Sequence, residues 1–169
     1  LLHRSQDLLD AHGGELYRAL TTLRDEGRIG KIGVSIYGPE ELDALWGRYR
    51  LDLVQAPLNI LDRRIAASGW LKRLHQSGTE VHVRSAFLQG LLLMDAEDRP
   101  AKFRRWQPVW DEWHRWLSEQ GLNPLQACLR YSVSQPEVDL VVVGVDSLKH
   151  LQDIVAGVEG PAGKPPQAL

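Results

Sequence analysis

Ile32-Gly33-Val34-Ser35-Ile36 is a short run of β-favouring residues, and what flanks it decides the fold. Upstream, Leu16, Leu20 and Leu23 recur at helical spacing over residues 14–27, and Gly27 closes that segment. Downstream, Pro39 takes a first helical position ahead of Leu42, Leu45 and Trp46. The alternation then continues. Leu53-Val54-Gln55-Ala56-Pro57 forms a second strand, ended by Pro57. Residues 64–77 predict a helix with Trp70, Leu71 and Leu74 inward and Gly78 as cap. Glu80 to Phe87 is a third strand. Residues 102–120 carry Phe103, Trp106, Trp110, Trp113 and Leu117 three and four apart, an amphipathic helix whose first turns Pro108 disturbs. Trp116 falls off that stripe and is expected to be exposed. Asn123-Pro124 pairs an N-cap with a first-turn proline. Leu140 to Val145 is continuously apolar, which predicts a strand buried on both faces. Ser147 caps a last helix with Leu148, Leu151, Ile154 and Val155. Residues 157–169 are rich in Gly and Pro and are expected to form a disordered tail.

Strands that alternate with helices imply a parallel sheet with right-handed crossovers. Periodicity alone does not choose between an open sheet and a closed barrel. The chain has 169 residues, enough for one domain or part of a larger one. Hydrophobic residues make up 43% and charged residues 25%, an ordinary globular balance. The net charge of −2 gives no basic footprint for nucleic acid. The longest apolar runs are too short to span a bilayer. Cys128 stands alone, which excludes an intrachain disulfide and fits a reducing, cytoplasmic setting. His75, His82 and His114 are scattered without a metal-ligand pattern. The chain opens Leu1-Leu2-His3, with neither Met nor a signal-peptide pattern, as though in mid-element. The expectation is a fragment.

Several motifs follow in order. They are Leu2-His3-Arg4, Glu26-Gly27-Arg28-Ile29-Gly30-Lys31-Ile32-Gly33-Val34-Ser35 and Val54-Gln55-Ala56-Pro57-Leu58-Asn59-Ile60-Leu61-Asp62-Arg63. Val83-Arg84-Ser85-Ala86-Phe87-Leu88-Gln89-Gly90-Leu91-Leu92 and Val142-Val143-Gly144-Val145-Asp146-Ser147 complete the series. Together they resemble the signature stretches of the aldo-keto reductases, and the wording around Phe87 to Leu92 is nearest to bacterial members. The resemblance implies a (β/α)8 TIM barrel, with residues 1–156 forming its C-terminal half. It also implies an active site at the C-terminal strand ends. His3, Ser35, Gln55, Asn59, Arg84 and Ser85 all fall at such ends.

The implied reaction is hydride transfer from a nicotinamide cofactor to a carbonyl, assisted by Tyr, Lys, Asp and His. The Tyr, Lys and Asp of that set are expected upstream of Leu1. Tyr17, Tyr37, Tyr49 and Tyr131 do not match the family's tyrosine position. His3 matches the histidine, whose neutral imidazole would orient the substrate carbonyl. Gln55 resembles the residue that binds the nicotinamide carboxamide, since its own amide offers a donor and an acceptor. The plainer alternative is a Gln satisfied by backbone. Ser35 resembles a second carboxamide contact, although Ile36 stands where the family often has Asn. Arg84 takes the place of a stacking tyrosine, and its guanidinium can stack or reach a phosphate. Its alternative is a salt bridge at a barrel rim. Ser85 follows it, and Leu88, Gln89 and Gly90 resemble the loop at the pyrophosphate.

Gly144 to Asp153 resembles the segment that holds the adenosine 2′-phosphate, with Ser147, His150 and Asp153 among its candidate contacts. Ser147 and the helix N-terminus favour an anion, whereas Asp146 repels one. The resemblance implies NADP as the cofactor, and Asp146 leaves NAD, or use of both, open. The intact protein is expected to reduce an aldehyde, ketone or sugar-like carbonyl. The isolated chain is expected to be nearly inactive. Its expected partners are a small-molecule carbonyl substrate and the missing N-terminal half, with homo-oligomers also open. The rival expectation is a regulatory or interaction module without catalysis, or a half-barrel that pairs with itself.

Overall fold

The computed structural model describes every residue except 167 and 168. Two compact units emerge. One comprises Leu1–Leu58, Arg63–Arg84 and Glu137–Val141, the other Asn59–Asp62, Ser85–Pro136 and Val142–Leu169.

The first unit holds a parallel sheet of β1 (Gly33–Ser35), β2 (Leu53–Pro57), β3 (Glu80–Arg84) and β4 (Leu140–Val141), in that spatial order. Leu2, outside the named strands, bridges in the parallel sense to Val34 of β1. Helices α1 (Gln6–Leu9) and α2 (Gly13–Asp25) precede β1. Helix α3 (Glu40–Leu45) links β1 to β2, and α4 (Arg64–Ala67) with α5 (Trp70–Gln76) links β2 to β3. Successive strand side chains point to opposite faces. Val34, Val54, Ala56, Val81 and Val83 are fully buried, as are Leu42, Leu45 and Leu74 of the helices. The other face carries Ser35, Gln55, Pro57, His82 and Arg84, aligned by the register Ser35↔Gln55, Gln55↔His82 and Pro57↔Arg84. A Cβ on Gly33 would lie 2.4 Å from the Leu53 carbonyl oxygen, so close pairing of β1 with β2 demands glycine there. Parallel strands alternating with helices make an α/β fold consistent with part of a (β/α)8 barrel.

Three expectations need correction. The helix expected over residues 64–77 breaks at Gly69, whose φ of +80° no helix interior accommodates. The strand expected to reach Phe87 stops at Arg84, because Ser85 has φ 60°. Of Leu140 to Val145 only Leu140–Val141 pairs, and Leu140, Val142 and Val145 are 53%, 43% and 43% exposed. Among the described residues β4 has a partner on one edge only, so no strand covers its other side.

The second unit is helical. A 3-10 turn, Ala101–Trp106, runs into α6 (Gln107–Gln120), followed by α7 (Pro124–Val133) and α8 (Leu148–Val158). Asn123 closes a full capping box with Gln126 at the start of α7. Ser147 Oγ accepts from the His150 N–H at the start of α8. The two helices pack together, and Arg130 Nε donates to the Gly157 carbonyl at 3.0 Å. Trp110 and Trp113 are buried as the stripe predicts, but Trp106 is 39% exposed and Trp116 only 4%. The reason lies beyond helical periodicity: the Trp116 indole stacks on Trp113 and donates to the Lys164 carbonyl at 3.0 Å. Cys128 is buried inside α7, and burial pushes its thiol up to about 12. Among the described residues no helix is long and apolar enough to cross a membrane.

Candidate functional site

The first unit holds four of the expected site residues, His3 and three that share one sheet face. Ser35 ends β1, Gln55 is its register partner in the middle of β2, and Arg84 ends β3. All three belong to one sheet face, on which Gln55 and Arg84 are half-buried and Ser35 is buried. Arg84 Nη2 donates to the Ile36 carbonyl at 3.0 Å, and Nε donates to Ser35 Oγ at 3.4 Å. Its guanidinium carbon also lies 4.9 Å from the centroid of the Tyr37 ring. Arg84 thus knits the tips of β3 and β1, with its bond to the Ile36 carbonyl shorter than its bond to Ser35. Gln55 differs from it. Among the described residues its carboxamide has no hydrogen-bond partner, although its backbone carbonyl accepts from Ile36 N–H at 2.9 Å. The Gln55 amide atoms are not among the buried unpaired atoms of the described residues, so they reach solvent and stand open to a ligand. Gln55 and Ser35 therefore offer a donor and two acceptors side by side, the complement of a planar carboxamide.

His3 lies one residue past the Leu2–Val34 bridge and is exposed. Leu2 N–H donates to the Gly33 carbonyl and Leu2 O accepts from Ser35 N–H, both at 2.8 Å. These bonds bring His3 to the same strand ends as Ser35. Deeper on the same face, His82 Nε2 lies 2.7 Å from Glu80 Oε1, and Glu80 also pairs with Lys31. Burial holds the His82 imidazole below its usual pKa, opposed by Asp139 and aided by Lys31. This histidine shares its register with Gln55 and was not singled out by the sequence. Tyr37, beneath the Arg84 guanidinium and 58% exposed, was also missed as a site neighbour. Its position directly after the Ile32–Ile36 run was the available signal.

The second unit carries the remaining candidates in two groups. Ser85, Leu88 and Gln89 have φ values of 60°, 48° and 58°, followed by Gly90 at 84°. Left-handed backbone at non-glycine residues costs of order 1 kcal/mol each and concentrates at functional sites. Asn59 helps impose that shape. Its amide Nδ2 donates to the Ser85 carbonyl at 3.0 Å, and Oδ1 accepts from the N–H groups of Leu61 and Asp62. Fully buried and spent on backbone, Asn59 shapes the loop instead of facing a ligand. Turns of this kind form concave backbone surfaces suited to anions.

The other group lines a cleft of about 710 Å3. Gly144, Asp146, His150 and Asp153 border it with apolar Phe87, Leu125 and Ile154. Ser147 does not line the cleft; its hydroxyl is taken up in capping α8. Lys149 Nζ pairs with the Asp153 carboxylate at 3.1 Å. The described residues include no group of three or more His, Cys, Asp or Glu able to hold a metal.

Within the first unit the open Gln55 amide beside Ser35 fits a planar carboxamide, and the second unit separately offers a strained turn and a cleft with an apolar wall. Among solved structures the chain is similar to the aldo-keto reductase AKR11C1 from Bacillus halodurans. Its apo form aligns at 21% identity and TM-score 0.68, covering 89% of this chain and 53% of that one. The holo form aligns at 22% and 0.66, covering 88% and 51%. The glycerol dehydrogenase AKR11B4 from Gluconobacter oxydans aligns at 22% and 0.64, covering 88% and 49%. The chain thus spans about half the length of these proteins, and at such identity the likeness speaks for the fold. No curated protein matches it. The model of the Aldo/keto reductase family matches residues 3–161. With parallel strands, an open amide at Gln55 and this match over nearly its whole length, the chain belongs to the aldo/keto reductase family.

Proposed function

We propose that the protein carrying this chain is a nicotinamide-dependent oxidoreductase that reduces a small-molecule carbonyl to an alcohol. The observation that carries this reading is the Gln55 carboxamide, unspent and in register with Ser35 on one sheet face. Gln55 and Ser35 would hold the nicotinamide carboxamide, and Arg84 would border the ring. Leu88, Gln89 and Gly90 would approach the pyrophosphate through their backbone, and Ser85 would set the entry to that turn. Gly144, His150 and Asp153 would flank the adenosine end. When bound, the cofactor supplies the reducing equivalent. His3 would donate a hydrogen bond to the substrate carbonyl and orient it. The developing alkoxide also needs a proton donor, which we assign, with its Lys and Asp partners, to an N-terminal half of the barrel preceding residue 1. This chain is then the C-terminal half, inactive by itself. The test is reduction of a panel of aldehydes and ketones by the full-length protein with NADH and NADPH, beside titration of both cofactors by Trp fluorescence. Saturable quenching with turnover supports the reading. Absence of both overturns it.

One set of exposures favours a second reading. Leu148, Leu151 and Val155 of α8 are 71%, 45% and 62% exposed, and β4 has one free edge among the described residues. Such surfaces invite another chain. A self-associating, non-catalytic module would sediment as a dimer and bind cofactor without turnover.

A further inference from the structure

The cleft beside α8 carries charge of one sign. Two of its lining residues are carboxylates, Asp146 and Asp153, and no Lys or Arg lines it among the described residues. The nearest cation in sequence, Lys149, already pairs with Asp153. Asp146 has no ion-pair partner among the described residues, and it immediately precedes the cap residue Ser147. The start of α8 contributes the positive end of a helix dipole, equivalent to about half an elementary charge. One of its free N–H groups is already taken by Ser147 Oγ. Half a positive charge does not offset the full charge on Asp146, so the cleft remains negative. A phosphate of −1.5 to −2, about the charge of a monoester at neutral pH, would be repelled there. A ribose diol would not: a carboxylate accepts from its hydroxyls, which is how dinucleotide sites take NAD, whereas those for the phosphorylated form supply Arg.

We propose that this cleft takes the adenosine ribose with both hydroxyls free, so that the intact enzyme prefers NADH to NADPH, with Asp146 as the discriminating residue. This rests on the reading that residues 144–153 flank the adenosine end of the cofactor. It narrows the expectation of NADP toward NAD. Asp146 is exposed, so replacing it leaves the core untouched. The test is paired titration of the full-length protein with NADH and NADPH, and with 5′-AMP and 2′,5′-ADP as probes of this end alone. The wild type should bind NADH and 5′-AMP at least about tenfold tighter than their 2′-phosphorylated counterparts. Asp146→Ser should shrink that ratio, and Asp146→Lys should reverse it. Equal or tighter binding of NADPH, or a ratio that Asp146→Ser leaves unchanged, overturns the assignment of the ribose while the reductase reading stands. Failure to bind either dinucleotide overturns both.

Discussion

Replacing Gln55 with Leu separates a ligand-binding amide from a structural one. The side chain has no hydrogen-bond partner among the described residues, and β2 is held by its backbone register with β1 and β3. Its removal therefore breaks no bond that supports the fold. Leucine of similar volume on a half-buried face should leave the melting temperature unchanged or slightly raised. The cofactor, by contrast, would lose two hydrogen bonds from its carboxamide. At a net ~0.5–1.5 kcal/mol each, the loss is about 1–3 kcal/mol, or roughly 5- to 150-fold in Kd. Gln55→Glu keeps the acceptors but removes the donor, and should fall between wild type and Gln55→Leu. The assay is titration with NADH by Trp fluorescence, with thermal melts of each variant alongside. Unchanged affinity in Gln55→Leu refutes the reasoning. So does a melting temperature lowered by several degrees, because the amide would then be spent within the protein.

Three more outcomes follow from the packing. Gly33→Ala drives a Cβ into the Leu53 backbone and should destabilise the protein by about 2 kcal/mol or more, seen as a lower denaturation midpoint; an unchanged midpoint would contradict the close pairing of β1 with β2. Cys128, buried and with its thiol pushed up to about 12, should resist Ellman's reagent at pH 8 until denaturant is added, and rapid labelling of native protein would contradict its burial. His82 and His114 both have pKa values lowered chiefly by burial, so below pH 6.5 the unfolded chain binds more protons than the folded one. Stability should therefore fall on acidification through that range, and the double variant His82→Gln/His114→Gln should flatten the slope in thermal melts between pH 7.5 and 5.5. A slope that persists undiminished would assign it to other groups.

What sequence reveals here divides along the range of the forces involved. The starts of α7 and α8 were readable because Asn123 and Ser147 make their capping bonds within three residues. Strand β2 was readable because Pro57 ends it locally. Gly69 misled because a glycine inside a helical period fits both a tolerated residue and a left-handed break. The apolar run from Leu140 to Val145 promised cover on two faces, yet apolarity reports what a strand needs, not whether a neighbour supplies it. Trp116 was misjudged because its partner Lys164 lies forty-eight residues away. The candidate site shows the same division. Family-like motifs pointed to Ser35, Gln55 and Arg84, but the contacts of Arg84 with Ile36 and Tyr37 cross two strands and leave no local mark. The backbone role of Asn59 is equally non-local, reaching Ser85 across twenty-six residues.

Saturation-transfer NMR of NAD+ with the full-length protein tests the central claim most directly. A nicotinamide ring seated on the face of Ser35, Gln55 and Arg84 should give strong saturation of its ring protons, much weaker in Gln55→Leu. Saturation confined to the adenine, or a nicotinamide signal indifferent to Gln55, would contradict it.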